Sequence, residues 1–142
     1  MKQNNVFVRL AMAIALLLTV SLNVQADGVT LRKGGSIVGK LETNGDVRIN
    51  GSIVGRFESN GDIRVGGSIV GRIEQNGDIR KNGSIIGRVE QNNDIRINGS
   101  IVGKIEKNGD IRKNGSIIGR AEQMTDVRRV AVMYFFPFFN LK

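Results

Sequence analysis

The stretch that decides the fold is GSIVGKLETNGDVRIN, residues 35–50, because the chain goes on to repeat it. GSIVGRFESNGDIRVG (51–66), GSIVGRIEQNGDIRKN (67–82), GSIIGRVEQNNDIRIN (83–98), GSIVGKIEKNGDIRKN (99–114) and GSIIGRAEQMTDVRRV (115–130) follow with no insertion. Residues 27–34 form an imperfect preceding half-unit, with Leu31 and Arg32 in register with Val47 and Arg48. Units this short cannot bury a face alone and must share a core with their neighbours.

Inside each unit the apolar period is two, which predicts strands. In the second copy Ile53, Gly55 and Phe57 fall on one face and Val54, Arg56 and Glu58 on the other. Asn-Gly, the strongest short hairpin signal, begins at Asn44, Asn50, Asn60, Asn76, Asn82, Asn98, Asn108 and Asn114. A two-residue loop at Asn44-Gly45 would set Leu41 against Arg48, whereas a three-residue loop at Thr43-Asn44-Gly45 sets Leu41 against Val47 and keeps one face apolar. The same rule at Ile49-Asn50-Gly51 sets Val47 against Ile53.

Three-residue strands would then alternate with seven-residue strands that bend and change partner at Gly39, Gly55, Gly71, Gly87, Gly103 and Gly119. Each short strand and its two flanks make a small antiparallel petal. Five petals are complete, centred on Val47, Ile63, Ile79, Ile95 and Ile111, and the ends supply partial ones around Leu31 and Val127. The expected fold is therefore all-β, a ring of five hairpin petals. A β-solenoid with one repeat per turn is the alternative. Glu42 lies diagonally across from Arg48 and Lys40 from Asp46; exposed pairs of this kind contribute about 0–1 kcal/mol and serve mainly to select register.

Both ends depart from the repeat. Lys2 and Arg9, the apolar run Leu10 to Val20 and the small-residue site Val24-Gln25-Ala26 have the order of a secretory signal. Cleavage near Ala26 is expected to leave residues 27–142 as one exported β-repeat domain, in the periplasm, at the cell surface or outside the cell. Losing Lys2 and Arg9 lowers the formal net charge from +8 to +6. There are no cysteines, hence no lipid-anchored cysteine and no disulfide.

At the other end residues 130–139 read VAVMYFFPFF. This run is too short to span a bilayer as a helix, and Pro137 weakens any long strand. Three placements are open to Tyr134, Phe135, Phe136, Phe138 and Phe139. They can fill the centre of the ring, dock on a membrane or partner, or form a strand beside the N-terminal half-unit. Central filling is preferred over membrane contact, because packed interiors tolerate few voids.

The run of Gly-Ser-Ile-Val-Gly-Arg and Asn-Gly-Asp-Ile-Arg units behind a signal sequence, ended by an aromatic cluster, resembles the bacterial five-fold β-flower proteins. The resemblance extends over residues 27–139. It implies a small closed β-structure with five-fold pseudo-symmetry and carries no active-site residues. The chain departs from it in having six unit starts and in lacking glycine at Met124-Thr125.

The chemistry is sparse. With no His, Cys or Trp, the sequence offers no His-based acid–base pair, thiol nucleophile, or His or Cys metal site. Ser36 and its five equivalents each follow a turn glycine with no base to activate them. The Asp and Glu positions recur in nearly every unit, unlike a single catalytic pair. We therefore expect no enzyme, cofactor or metal. Nucleic acid is not an expected partner, since acids interleave with the bases and the repeats carry no aromatic stacking platform.

Two roles follow as expectations. The first is a non-catalytic structural or interaction module of the bacterial envelope. The alternative is a glycan- or polyanion-binding module using Arg48, Arg64, Arg80, Arg96 and Arg112 with the Asn-Gly loop tips, the partner being a surface glycan or envelope component.

Overall fold

The structure is a computed structural model that describes residues 28–141. The expected signal segment and its cleavage site at Ala26 lie outside the described residues. Twelve antiparallel strands close into a single barrel. They are β1 (Val29–Lys33), β2 (Ser36–Leu41), β3 (Asp46–Ile49), β4 (Ser52–Phe57), β5 (Asp62–Val65), β6 (Ser68–Ile73), β7 (Asp78–Lys81), β8 (Ser84–Val89), β9 (Asp94–Ile97), β10 (Ser100–Ile105), β11 (Asp110–Lys113) and β12 (Ser116–Glu122). One helix follows, α1 (Val127–Phe135).

The all-β repeat is present, but the ring of five petals is not, and neither is the solenoid. Every strand is paired on both edges, so the sheet is continuous. Five repeats each supply two strands. The last repeat supplies only β12, and the N-terminal half-unit supplies β1 to complete it. The two ends meet through Thr30 opposite Glu122, Leu31 opposite Ala121 and Arg32 opposite Arg120. Closure removes the exposed edges that an open sheet would offer to other chains.

The difference between petals and barrel comes from the second turn of each unit. At the first turn the three-residue loop is found: Leu41 faces Val47, and Gly45 has φ 100°. Asn44 Oδ1 accepts from the amide of Asp46 at 3.0 Å, fixing the loop from inside. At the second turn Ile49 faces Ser52, which leaves a two-residue Asn50-Gly51 loop with φ 52° and 82°. Positive φ at both positions marks the primed turn that matches strand twist.

A β-bulge then restores the alternation. Arg48 faces Ile53 and Val47 faces Gly55, so Val54 is the extra residue. The expected pairing of Val47 with Ile53 is replaced accordingly, and Gly55 does not change partner but pairs on both sides, with Val47 and Val65. The bulge also moves Ile53 across from the outward-facing Arg48. Ile53 and Ile37, Ile69, Ile85, Ile101 and Ile117 are therefore exposed on the outer wall rather than in the core.

The inner wall carries a ring of fully buried Leu31, Val47, Ile63, Ile79, Ile95 and Ile111. Leu41, Phe57, Val89, Ile105 and Ala121 form the adjoining layer. Eight strands leave an interior that side chains alone can fill, so a twelve-stranded barrel leaves room for more.

Val127, expected at the centre of a partial petal, instead begins α1. The tripeptide Asp46-Val47-Arg48 is strand, and Asp126-Val127-Arg128 opens a helix. The reason lies two residues upstream. The loop needs a left-handed residue, which Gly45, Gly61, Gly77, Asn93 and Gly109 supply; Thr125, β-branched, stands at that position. Without the hairpin, Asp126 caps a helix, its carboxylate accepting from the Arg128 amide at 3.0 Å.

Candidate functional site

The lumen is where a barrel of this width would hold a ligand. Here Val130, Ala131, Val132 and Met133, more than one full turn of α1, are all at most 2 % exposed. Burial on every side of a turn requires an enclosing wall, so the helix lies inside the barrel. Arg128 ties its start to the three-residue-loop rim by donating to the carbonyls of Glu74 at 3.2 Å and Gln75 at 3.0 Å.

Beyond the helix the tail winds around the inner wall, one residue to each repeat. Built onto Gly119, a Cβ would lie 2.8 Å from a ring carbon of Tyr134. A Cβ on Gly103 would likewise strike the Phe135 ring, and one on Gly87, Gly71 or Gly55 would lie 2.5 Å from the ring of Phe136, Phe138 or Phe139 respectively. A Cβ on Gly39 would lie 3.2 Å from a side-chain carbon of Leu141. None of these glycines has positive φ. They are small to admit a side chain, not to permit a turn.

The tail residues are held by polar contacts as well. The Tyr134 hydroxyl donates to the carbonyl of Arg32 at 2.7 Å, and burial pushes its pKa up to about 12. Lys33 Nζ donates to the Leu141 carbonyl at 3.0 Å and Lys81 Nζ to the Pro137 carbonyl at 3.1 Å. Phe136 is buried, while Phe135, Phe138 and Phe139 are half-buried near the two-residue-turn rim. Phe57 and Phe139 pack with ring centroids 5.8 Å apart.

Arg48, Arg64, Arg80, Arg96 and Arg112 do stand in a belt on the outer wall, with Arg32 as the sixth member. Each is engaged twice. Their Nε atoms pair with Glu42 at 2.7 Å, Glu58 at 3.2 Å, Glu74 at 3.3 Å, Glu90 at 2.9 Å and Glu106 at 3.4 Å. Their second nitrogens donate to the glycine carbonyls of the two-residue turns, as Arg48 does to Gly51 at 2.9 Å. Arg32 makes the same pair with Glu122 at 2.6 Å, so the closing seam repeats the contact used elsewhere.

The expected Lys40–Asp46 diagonal is replaced. The shorter turn and the bulge at Val54 together bring Asp46 directly opposite Arg56, at 2.9 Å, and Asp62, Asp78, Asp94 and Asp110 pair likewise with Arg72, Arg88, Lys104 and Arg120.

Two features of the site escaped sequence reasoning. One is the helix, signalled by Met124-Thr125 in place of Asn-Gly ahead of a capping Asp126. The other is the six-fold match between one glycine per repeat and Tyr134, Phe135, Phe136, Phe138, Phe139 and Leu141. The spaces around the helix start, one of about 530 Å³ beside Gln75, Glu90 and Arg128, open to solvent between loops. Among the described residues no group of acidic side chains is placed to hold a metal ion. Comparison of the chain with protein-family models, with curated proteins and with solved structures finds no match.

Proposed function

We propose that this chain is a non-catalytic, exported structural or interaction module that presents its outer wall and rims rather than an internal cavity. The observation that supports this reading best is the occupation of the lumen by the chain's own helix and aromatic tail. An enclosed space that would otherwise receive a substrate is filled with Val130, Val132, Met133 and Phe136. The belt of arginines favours the same reading over polyanion binding, because each guanidinium already holds a carboxylate and a turn carbonyl. Kinship with the β-flower proteins rests on the repeats and the Phe-rich tail, not on five-fold symmetry.

Export is tested by fractionating cells that express residues 1–142. Recovery of a chain starting near Asp27 outside the cytoplasm is expected. An uncleaved cytoplasmic chain contradicts the reading. The module reading is tested by titrating the folded domain with acidic oligosaccharides: retention that disappears in an Arg48→Gln, Arg80→Gln, Arg112→Gln variant would replace it with the polyanion role.

A further inference from the structure

The barrel sorts its charges by end. Every carboxylate among the described residues, from Glu42 to Asp126, lies toward the three-residue loops or at the start of α1. Among the described residues the two-residue-turn rim has no Asp or Glu. There Lys33, Lys81 and Lys113 stand at the ends of β1, β7 and β11, and two of them reach carbonyls of the tail at the mouth. Just outside the same rim runs the ring of Ile37, Ile53, Ile69, Ile85, Ile101 and Ile117, 53–61 % exposed. Within the mouth Pro137 is exposed and Phe138 and Phe139 are half-exposed.

Six isoleucines in a closed ring are not the scattered apolar residues of an ordinary surface. Cations beside aliphatic and aromatic groups, with the acidic residues of the described chain set toward the opposite end, are the combination that enters the headgroup region of a bilayer. We propose that the two-residue-turn rim docks on an anionic lipid surface, with the isoleucine ring and the aromatic mouth at the acyl boundary and the lysines on the phosphates. This names a partner for the interaction module and rests on that reading, since an exported chain meets such surfaces. Nothing in the contact requires a transmembrane segment.

A second copy is the rival occupant, and the observations disfavour it. Two such rims face to face would oppose lysine to lysine. Rim to opposite rim would satisfy charge but set the isoleucine ring against polar tips such as Thr43-Asn44 and Gln75-Asn76, which offer no apolar counterpart.

Residues 28–141 close the barrel and fill it among themselves, so the chain from Asp27 to Lys142 is the unit to test. It is sedimented with vesicles of phosphatidylcholine alone or mixed with phosphatidylglycerol, at low and at raised salt. Two variants accompany it: Ile53→Thr, Ile85→Thr, Ile117→Thr, and Lys33→Gln, Lys81→Gln, Lys113→Gln. Thermal melting verifies that each is folded. Should the lysine variant not fold, the isoleucine variant, which changes only exposed side chains, decides alone.

Binding to the anionic vesicles is expected, weakened by salt as screening requires and at least tenfold weaker in a folded variant. No binding to anionic vesicles, equal binding to neutral ones, or equal binding by the isoleucine variant overturns the proposal. So does concentration-dependent association without lipid that the isoleucine variant abolishes, which would assign the rim to a second copy. Vesicle binding is read in vitro, so its failure is distinct from failure of export in cells.

Discussion

A Cβ on Gly87 would lie 2.5 Å from the nearest ring carbon of Phe136, so strand β8 and the C-terminal tail fit each other only because that side chain is missing. The Arg96 carbonyl closes the same space from the neighbouring strand. Gly87→Ala should therefore destabilise the barrel by about 1–3 kcal/mol, the usual cost of overpacking. Urea unfolding followed by circular dichroism measures it.

Removing the ring side of the contact should cost more than removing its rim neighbours. Phe136 is 4 % exposed, whereas Phe138 is half-buried near the mouth. Phe136→Ala should cost about 3–5 kcal/mol, and Phe138→Ala distinctly less, because solvent already shares part of its surface. Equal losses in melting temperature would contradict the inward placement of Phe136.

The two turns of each repeat should respond differently to the same substitution. At Gly51, φ is 82° and nothing lies near a new Cβ, so Gly51→Ala should cost about 1–2 kcal/mol for the left-handed backbone alone. Gly61 has φ 99° and its Cβ would also strike the Ile73 carbonyl. Gly61→Ala should cost about 1–3 kcal/mol beyond that. The pair separates conformational strain from collision, and chemical denaturation of the two variants reads the difference.

Tyr134 is the only tyrosine, so phenolate absorbance reports on it alone in the folded chain. Burial raises its pKa from 10.0 to about 12, favouring the neutral form in the folded state. The stabilisation is fully present below pH 10 and is lost as the pH rises through about 12. Wild type should lose stability relative to Tyr134→Phe across that window, and the phenol should titrate late. A phenolate signal rising with an ordinary midpoint in the folded protein would show that Tyr134 is exposed.

The repeat, the strands and the first turn were legible because each follows from local chemistry: period two, and a left-handed residue where Gly45 stands. The second turn was not. Ile49-Asn50-Gly51 reads equally well with two or three loop residues, and the choice depends on a bulge at Val54, whose sign in the sequence is the mid-strand Gly55 that reads equally as a bend. That bulge changes petals into a continuous sheet, moves Ile53 outside and shifts the partner of Asp46 from Lys40 to Arg56.

The helix was illegible for a related reason. The terminal repeat keeps Asp126-Val127-Arg128, matching the Asp-Val-Arg or Asp-Ile-Arg strand start of every other unit, and the absence of a residue suited to left-handed backbone before it, Thr125 in place of glycine or Asn93, diverts the chain inward. Filling follows from geometry that appears only once the strands are counted. Twelve of them enclose more space than Val47 and its equivalents fill, and six glycines deepen it at one level.

One arrangement underlies the fold: β1 closed against β12 around the chain's own tail. A nuclear Overhauser spectrum of residues 27–142 tests it most directly. Cross-strand contacts between Leu31 and Ala121, together with contacts from the Gly87 α-protons to the Phe136 ring, are the predicted result. An open sheet with no Leu31–Ala121 contact, or a tail whose ring protons touch no strand, would contradict it.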